Sequence, residues 1–447
     1  MDSLKIRLET PVPHTKLALV GARLITMSAA GVIEDGVILI ESNRIKAVGT
    51  RASMTIPSDF QIIDLKGKTI LPGYVDVHAH TGNFRHGLSP NQQWEYLANL
   101  AFGVTTTHDP SANTEMVFAQ SEAIRAGNMF GPRLFSTGTI LYGADGDFKA
   151  VIQSEEDALR AVQRNKAFGA FSVKSYNQPR RDQRQQVMVA ARKENMLVVP
   201  EGGSHFFHNM TMVADGHTGV EHNIPVAPLY QDVLEFWKRT QTGNTPTLIV
   251  NYGGVNGEYY WYQHTAVWED TLLLKFTPRE VVDARARHRT MIPQEEYERG
   301  HILVSASCKK LHDAGVPIHM GSHGQMQGVG AHWEIWMLVQ GGMLPMEALR
   351  AATLQGAAYL GLDHEIGSLE PGKLADLQVL HENPLSNIQH TRALQYVMMD
   401  GRMYRIPDLK ETFTGKFEPA PMFWERTHGH ALLPWQELQH GCSCGKH

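Results

Sequence analysis

Cysteine is scarce in this chain: Cys308, Cys442 and Cys444 are the only three among 447 residues. So sparse and odd a set excludes a disulfide framework as the source of stability. Charge is thin as well. Charged residues make up 19% and the formal net charge is -5. The first figure excludes a disordered polyelectrolyte, and the second leaves no basic footprint for nucleic acid. No apolar run is long enough to span a membrane. The opening Met1-Asp-Ser-Leu-Lys-Ile-Arg7 lacks the apolar core of a signal peptide. The expectation is a soluble chain without membrane or nucleic-acid partners. Its compartment is open: cytoplasmic by default, periplasmic if it is cut from a longer precursor. Neither a G-x-x-x-x-G-K-[ST] run nor a placed G-x-G-x-x-G is found, so nothing points to a nucleotide.

What is present is apolar residue and histidine. Apolar residues make up 42%, enough for a large barrel with a satellite domain, and there are 23 histidines. Histidine is the commonest metal ligand and carries protons near neutral pH. Two of them close the run Leu71-Pro-Gly-Tyr-Val-Asp-Val-His-Ala-His80. This run is strand-like, and on a strand residues i and i+2 share a face. His78 and His80 therefore form a pair able to grip one ion at a strand end.

After His80 strand-like and helix-like stretches alternate. Strands are expected at Val104–His108, Arg133–Thr137, Phe171–Lys174, Met196–Glu201, Gly219–His222, Thr247–Val250 and Val316–Met320, with a closing helix over Met346–Leu360. With the leading run, that makes eight βα units and predicts a TIM-type barrel. Short β segments precede it, with a hairpin at Glu41-Ser-Asn-Arg44, and further turns and strands follow at 367–404. The expected fold is α/β: a distorted (β/α)8 barrel over 71–365 with a small composite β-sandwich built from 1–70 and 366–406. Residues 407–447 form an arm or tail. An insertion at about 251–300 carries Tyr259-Tyr-Trp-Tyr262 and Arg285-Ala-Arg-His-Arg289 and reads equally as a lid or as a solvated flank.

Barrel active sites lie at the C-terminal ends of the strands. Those ends carry His78, His80, His108, Asp109, Lys174, Glu201, His222 and His323. This mixture suits one or two divalent ions, zinc first, with manganese or iron as alternatives. A carbamate on Lys174 would make it an anionic bridge between two ions. A base at the eighth strand end, His323, would pass a proton to the leaving group, with Asp109 as a further proton carrier. Tyr176, Arg180 and Arg181 follow Lys174 and are candidates for holding a substrate carboxylate. Asp145 and Asp147 line the same end or make loop turns. The tail His440-Gly-Cys-Ser-Cys-Gly-Lys-His447 offers two thiols at a spacing unusual for zinc.

The lead into His78 and His80, together with Gly367-Ser-Leu-Glu-Pro-Gly-Lys-Leu-Ala-Asp-Leu377, resembles the amidohydrolase superfamily. The likeness extends from about Lys16 to Tyr404. It is most similar to the imidazolonepropionase-like and metal-dependent prolidase-like branch, and to the amidohydrolase part of proteins with an N-terminal TolB-type propeller. The resemblance implies ligands at His78, His80 and His222, and a carbamylated Lys174. Two positions depart from its pattern: Glu201 stands where a histidine is usual, and His323 where an aspartate is usual. His205 and His217 are neighbours able to substitute, and His319 reads as a core residue. The expected activity is metal-dependent hydrolysis of an amide, peptide-like or cyclic amide C–N bond in a small molecule. The alternatives are lactone, ester or phosphoester hydrolysis, and a non-catalytic binding barrel. A homo-oligomer is compatible with all of these.

Overall fold

The computed structural model describes residues 6, 12–82, 90–178, 180–203, 205–287, 291–412 and 417–426. Five strands open the chain: β1 Lys16–Ile25, β2 Val32–Glu41, β3 Arg44–Thr50, β4 Gln61–Asp64 and β5 Thr69–Pro72. Nine short ones follow, most of them separated by helices: β6 Tyr74–Asp76, β7 Val104–Asp109, β8 Arg133–Ser136, β9 Ile140–Tyr142, β10 Lys149–Val151, β11 Ser172–Ser175, β12 Leu197–Pro200, β13 Gly219–Glu221 and β14 Gly243–Thr245. Three more close the described chain: β15 Leu377–Leu380, β16 Leu394–Met399 and β17 Arg402–Arg405.

Both ends of the chain meet in one sheet of order β17-β16-β15-β5-β1-β2-β3, with β4 also on β1. The seam is antiparallel, Leu377 facing Pro72 and Val379 facing Ile70. Its cause is alternation. Leu17, Leu19 and Leu24 of β1 pack with Ile70, Leu377 and Val379 on one face, while Ala18 and Val20 pack with Val37 and Phe60 on the other. The hairpin at 41–44 is present, with Ser42 in the left-handed region at φ 60°.

The middle of the chain is a TIM-barrel-like α/β arrangement. Parallel pairs run β6-β7-β8, β10-β9-β11-β12 and β13-β14. Single bridges join Glu201 to Glu221 and Asn244 to Ile318, and Val77 N–H donates to Met320 O at 3.2 Å. Among the described residues the ladder stays in separate sheets and does not close. Two expectations change here. The eighth strand, Val316–Met320, is reduced to the bridge at Ile318. The seventh strand lies at Gly243–Thr245, and 248–250 is a turn. Pro246 has no N–H to give a ladder, and Glu334 captures the N–H groups of Leu248 (2.7 Å) and Ile249 (3.0 Å).

The insertion folds as helices, with Trp261 and Tyr262 buried against Trp333. His288 and Arg289 of its basic run lie outside the described residues, as do Cys442, Cys444 and the rest of the histidine-bearing tail. Ala420 N–H donates to Gln92 Oε1 at 2.7 Å, which seats the arm on the barrel flank. Among the described residues no helix is long and apolar enough to cross a membrane.

Candidate metal centre

The site is built on a clamp. Asp76, at the end of β6, accepts the N–H groups of His78 and Ser322, both at 3.1 Å. One buried carboxylate thus holds together the two turns that carry histidines. Burial pushes Asp76 up to about 6 against the pull of those hydrogen bonds. The second turn, Gly321-Ser-His-Gly324, is shaped by contact. A Cβ on Gly321 would lie 2.7 Å from His78 Cβ, and one on Gly324 would lie 2.1 Å from His80 O. His323 is left-handed at φ 57°, and its N–H donates to His78 O at 2.7 Å.

Carboxylates set the tautomers. His78 Nδ1 donates to Glu221 Oε2 at 2.5 Å, and Glu221 Oε1 accepts from Tyr359 OH at 2.6 Å. His80 Nδ1 donates to Asp109 Oδ1 at 3.3 Å, and Thr81 and Ser111 N–H hold that carboxylate in turn. Each Nε2 is then a bare lone pair, and the two lie 3.2 Å apart. Two acceptors at that separation repel unless a cation lies between them. Two imidazoles on one tetrahedral zinc would place their nitrogens roughly 3.3–3.4 Å apart. His323 completes the set, since His78, His80 and His323 each offer a nitrogen within 4.8 Å of the others. Its Nδ1 is buried without a hydrogen-bond partner. Burial pushes His78 and His323 well below the usual imidazole range, which keeps them unprotonated. The three imidazoles therefore fit a divalent ion.

The other expected ligands lie beside this trio but are turned to one another. Glu201 Oε2 is 2.5 Å from Lys174 Nζ, while Oε1 accepts from His222 Nε2 at 3.0 Å and Tyr252 OH at 3.1 Å. Burial alone would raise Glu201, but Lys174 and His222 hold it well below the usual carboxylate range. His222 Nδ1 meets Thr247 Oγ1 at 2.7 Å, and the ring stacks on Tyr252 at 4.2 Å. Burial lowers His222 despite the pull of Glu201.

Above the trio opens a cavity of about 860 Å³ that His80, Asp109, Tyr176, Glu201, Tyr252 and His323 help to line. Arg180 and Arg181 do not line it. Arg180 pairs with Asp182 and Arg181 with Asp215 at the foot of the helix Arg181–Lys193, so the carboxylate-holding part expected of them has no footing. Asp147 reaches the cavity rim, whereas Asp145 is exposed and bonds Gly146 N–H. His108 lies inside the barrel between Val77 O and Ser172 Oγ. His205 caps a helix, His217 bonds Met212 O, and His319 stacks on Tyr359 at 4.3 Å. Glu221, Tyr252 and Asp76 were not singled out from sequence. Glu221 and Asp76 had a weak signal, as carboxylates one and two residues before a candidate ligand; Tyr252 had none.

The sequence profile of the amidohydrolase family matches residues 274–404. An imidazolonepropionase of Geobacillus kaustophilus is 24% identical over 421 residues, covering 85% of this chain and 93% of that protein. Among solved structures, a Xaa-Pro dipeptidase with methionine bound in its active site superposes with a TM-score of 0.68 at 21% identity, over 88% of this chain and 100% of that one. Aspergillus niger ochratoxinase superposes with a TM-score of 0.66 at 18% identity, over 88% and 96%. The amidohydrolase profile thus covers residues 274–404, and over most of its length the chain is similar to proteins named as imidazolonepropionase and has the fold of a Xaa-Pro dipeptidase.

Proposed function

We propose that the protein is a metal-dependent hydrolase that cleaves an amide or cyclic amide C–N bond of a small molecule. The observation that carries this is the trio His78, His80 and His323, with lone pairs converging on the floor of an open cavity. A divalent ion held there, zinc by the donor set, would polarise a carbonyl and make water acidic enough to ionise near neutrality. Manganese and iron are the alternatives that metal analysis decides. Glu201, kept ionised by Lys174 and His222 and lining the cavity, is the carboxylate that would receive the proton the water loses. Tyr252 OH orients Glu201, and Asp109 orients His80. Tyr176 lines the wall. This reading shifts the proton carrier from His323 and Asp109 to Glu201 and keeps His323 as a ligand.

The fuller form of the proposal, two ions bridged by a carbamate on Lys174, requires Lys174 to leave Glu201. The unmodified Lys174 lies 2.5 Å from Glu201. The architecture belongs to the same reading: a barrel over 71–365, a composite β-domain from 1–70 and 366–406, and a tail. The support for it is the sheet in which β5 pairs β15.

Protein purified without added ions should contain metal near one equivalent per chain. It should hydrolyse some member of a panel of N-acyl amino acids, X-Pro dipeptides and cyclic amides. His78→Ala with His80→Ala should lose both metal and turnover. Two equivalents, with an intact mass heavier by a carbamate, would establish the two-ion form. No retained metal, and no turnover after ions are added, would sink the proposal.

A further inference from the structure

Among the described residues, the cavity above the trio has a cation that no carboxylate pairs with. Lys149, at the start of β10, lines the wall beside Tyr176. Its ammonium lies 5.2 Å from the ring centroids of both Tyr142 and Tyr176, which meet edge to face. Among the described residues it has no hydrogen bond and no ion pair. Aromatic faces attract an ammonium but leave its N–H donors unsatisfied. A second cation, Arg285 of the helix Arg279–Ala286, lines the same cavity, 3.8 Å from Glu258 and beside Tyr262. Glu258 in turn accepts from Gln325, two residues past His323, at 3.1 Å. Lys149 thus stands on the Lys174 side of the mouth and Arg285 on the His323 side.

The carboxylates around them do not cancel this charge. Asp109 is held by His80, Thr81 and Ser111, and Glu201 by Lys174, His222 and Tyr252. Burial pushes Glu95 up to about 8, so it is largely neutral at pH 7. Asp147 is exposed at the rim. The remaining wall includes Trp94, Phe148, Ile140, Val281 and Met326, which favour an apolar group.

We propose that the mouth selects amides in which an apolar group is joined to a carboxylate-bearing group, and that Lys149 anchors the carboxylate. This rests on the hydrolase reading and names its substrate class. An anion there gives the ammonium the acceptor it lacks, in a half-enclosed site where a charge pair outweighs its exposed counterpart.

The test uses metal-loaded protein and two probes that differ in one group, N-benzoylglycine and its primary carboxamide. Binding is measured by titration calorimetry, and turnover by release of benzoate. The acid should bind at least tenfold more tightly than the carboxamide. Lys149→Gln should bring the two within about threefold of each other, and Lys149→Arg should restore most of the preference. Equal binding of both probes by the wild type, or a preference that survives in Lys149→Gln, would overturn the assignment. If the acid binds with the stated preference but no amide is turned over, the hydrolase reading fails and the subsite stands.

Discussion

Gly324 is where a single hydrogen atom decides the centre. It sits at φ 66°, and a Cβ there would come within 2.1 Å of His80 O. Gly324→Ala must therefore displace either its own turn or the backbone of a ligand, with left-handed strain of roughly 1–3 kcal/mol in addition. The expected outcome is a protein that folds but loses its metal on dialysis against chelator much faster than wild type; undiminished retention would contradict it. Tyr252 is the complementary case, a side chain whose oxygen matters more than its ring. Tyr252→Phe keeps the stacking on His222 and removes the donor to Glu201. A hydrogen bond to a charged acceptor contributes about 1.5–3 kcal/mol. The expected loss in kcat is ten- to a hundredfold, with metal content unchanged.

At the scale of elements, the helix Val329–Gln340 does more than fill space. Its His332 joins Phe102 O and Thr391 Oγ1, both at 2.9 Å, and its Glu334 holds the turn at 248–249. That turn carries Thr247, the partner of His222. Burial pushes His332 down to about 3 from 6.5. In the unfolded chain it takes a proton as pH falls below 6.5, while the folded protein refuses one until about 3. The unfolded state then binds more protons, so stability is full above pH 6.5 and declines as pH falls through that window, by about 1.4 kcal/mol per unit for one such group. Urea unfolding at pH 7, 6 and 5 should show this decline, and His332→Gln should flatten it by about that slope. A parallel pH dependence in the variant would refute the assignment.

At the scale of the molecule, a buried charge cluster ties the large sheet to strand β8. Arg133, at the start of β8, reaches Asp376 just before β15 and Asp400 between β16 and β17. Arg133→Met would leave two carboxylates facing each other without the guanidinium that bonds both, and breaking such a buried cluster costs about 3–5 kcal/mol. Thermal unfolding should show a large drop for Arg133→Met, recovered in part when Asp376→Asn and Asp400→Asn are added. A triple variant no better than the single one would show that the cluster is not the joint. The Asp376 carboxylate lies inside the Gly367–Leu377 motif, so this segment ties the large sheet to β8.

The sequence by itself determined whatever depends on near neighbours. The spacing of His78 and His80 marks them as a pair although both lie just past the end of β6, and the alternation of β1 and β15 is enough to mark the sheet they share. The order of strand and helix, and with it the barrel-like frame, follows from the same local periodicities. Only the tertiary structure decided which charges meet. Glu201, a candidate ligand by its place at a strand end, meets Lys174 and His222. Arg180 and Arg181 found Asp182 and Asp215 instead of the mouth. The seventh strand shifted to Gly243–Thr245 because a carboxylate 86 residues away took its N–H groups. Glu221, 143 residues from His78, sets that imidazole's tautomer. Hydrogen bonds and ion pairs act over about 3 Å of space whatever the distance along the chain, so a linear pattern can name the donors but not their partners.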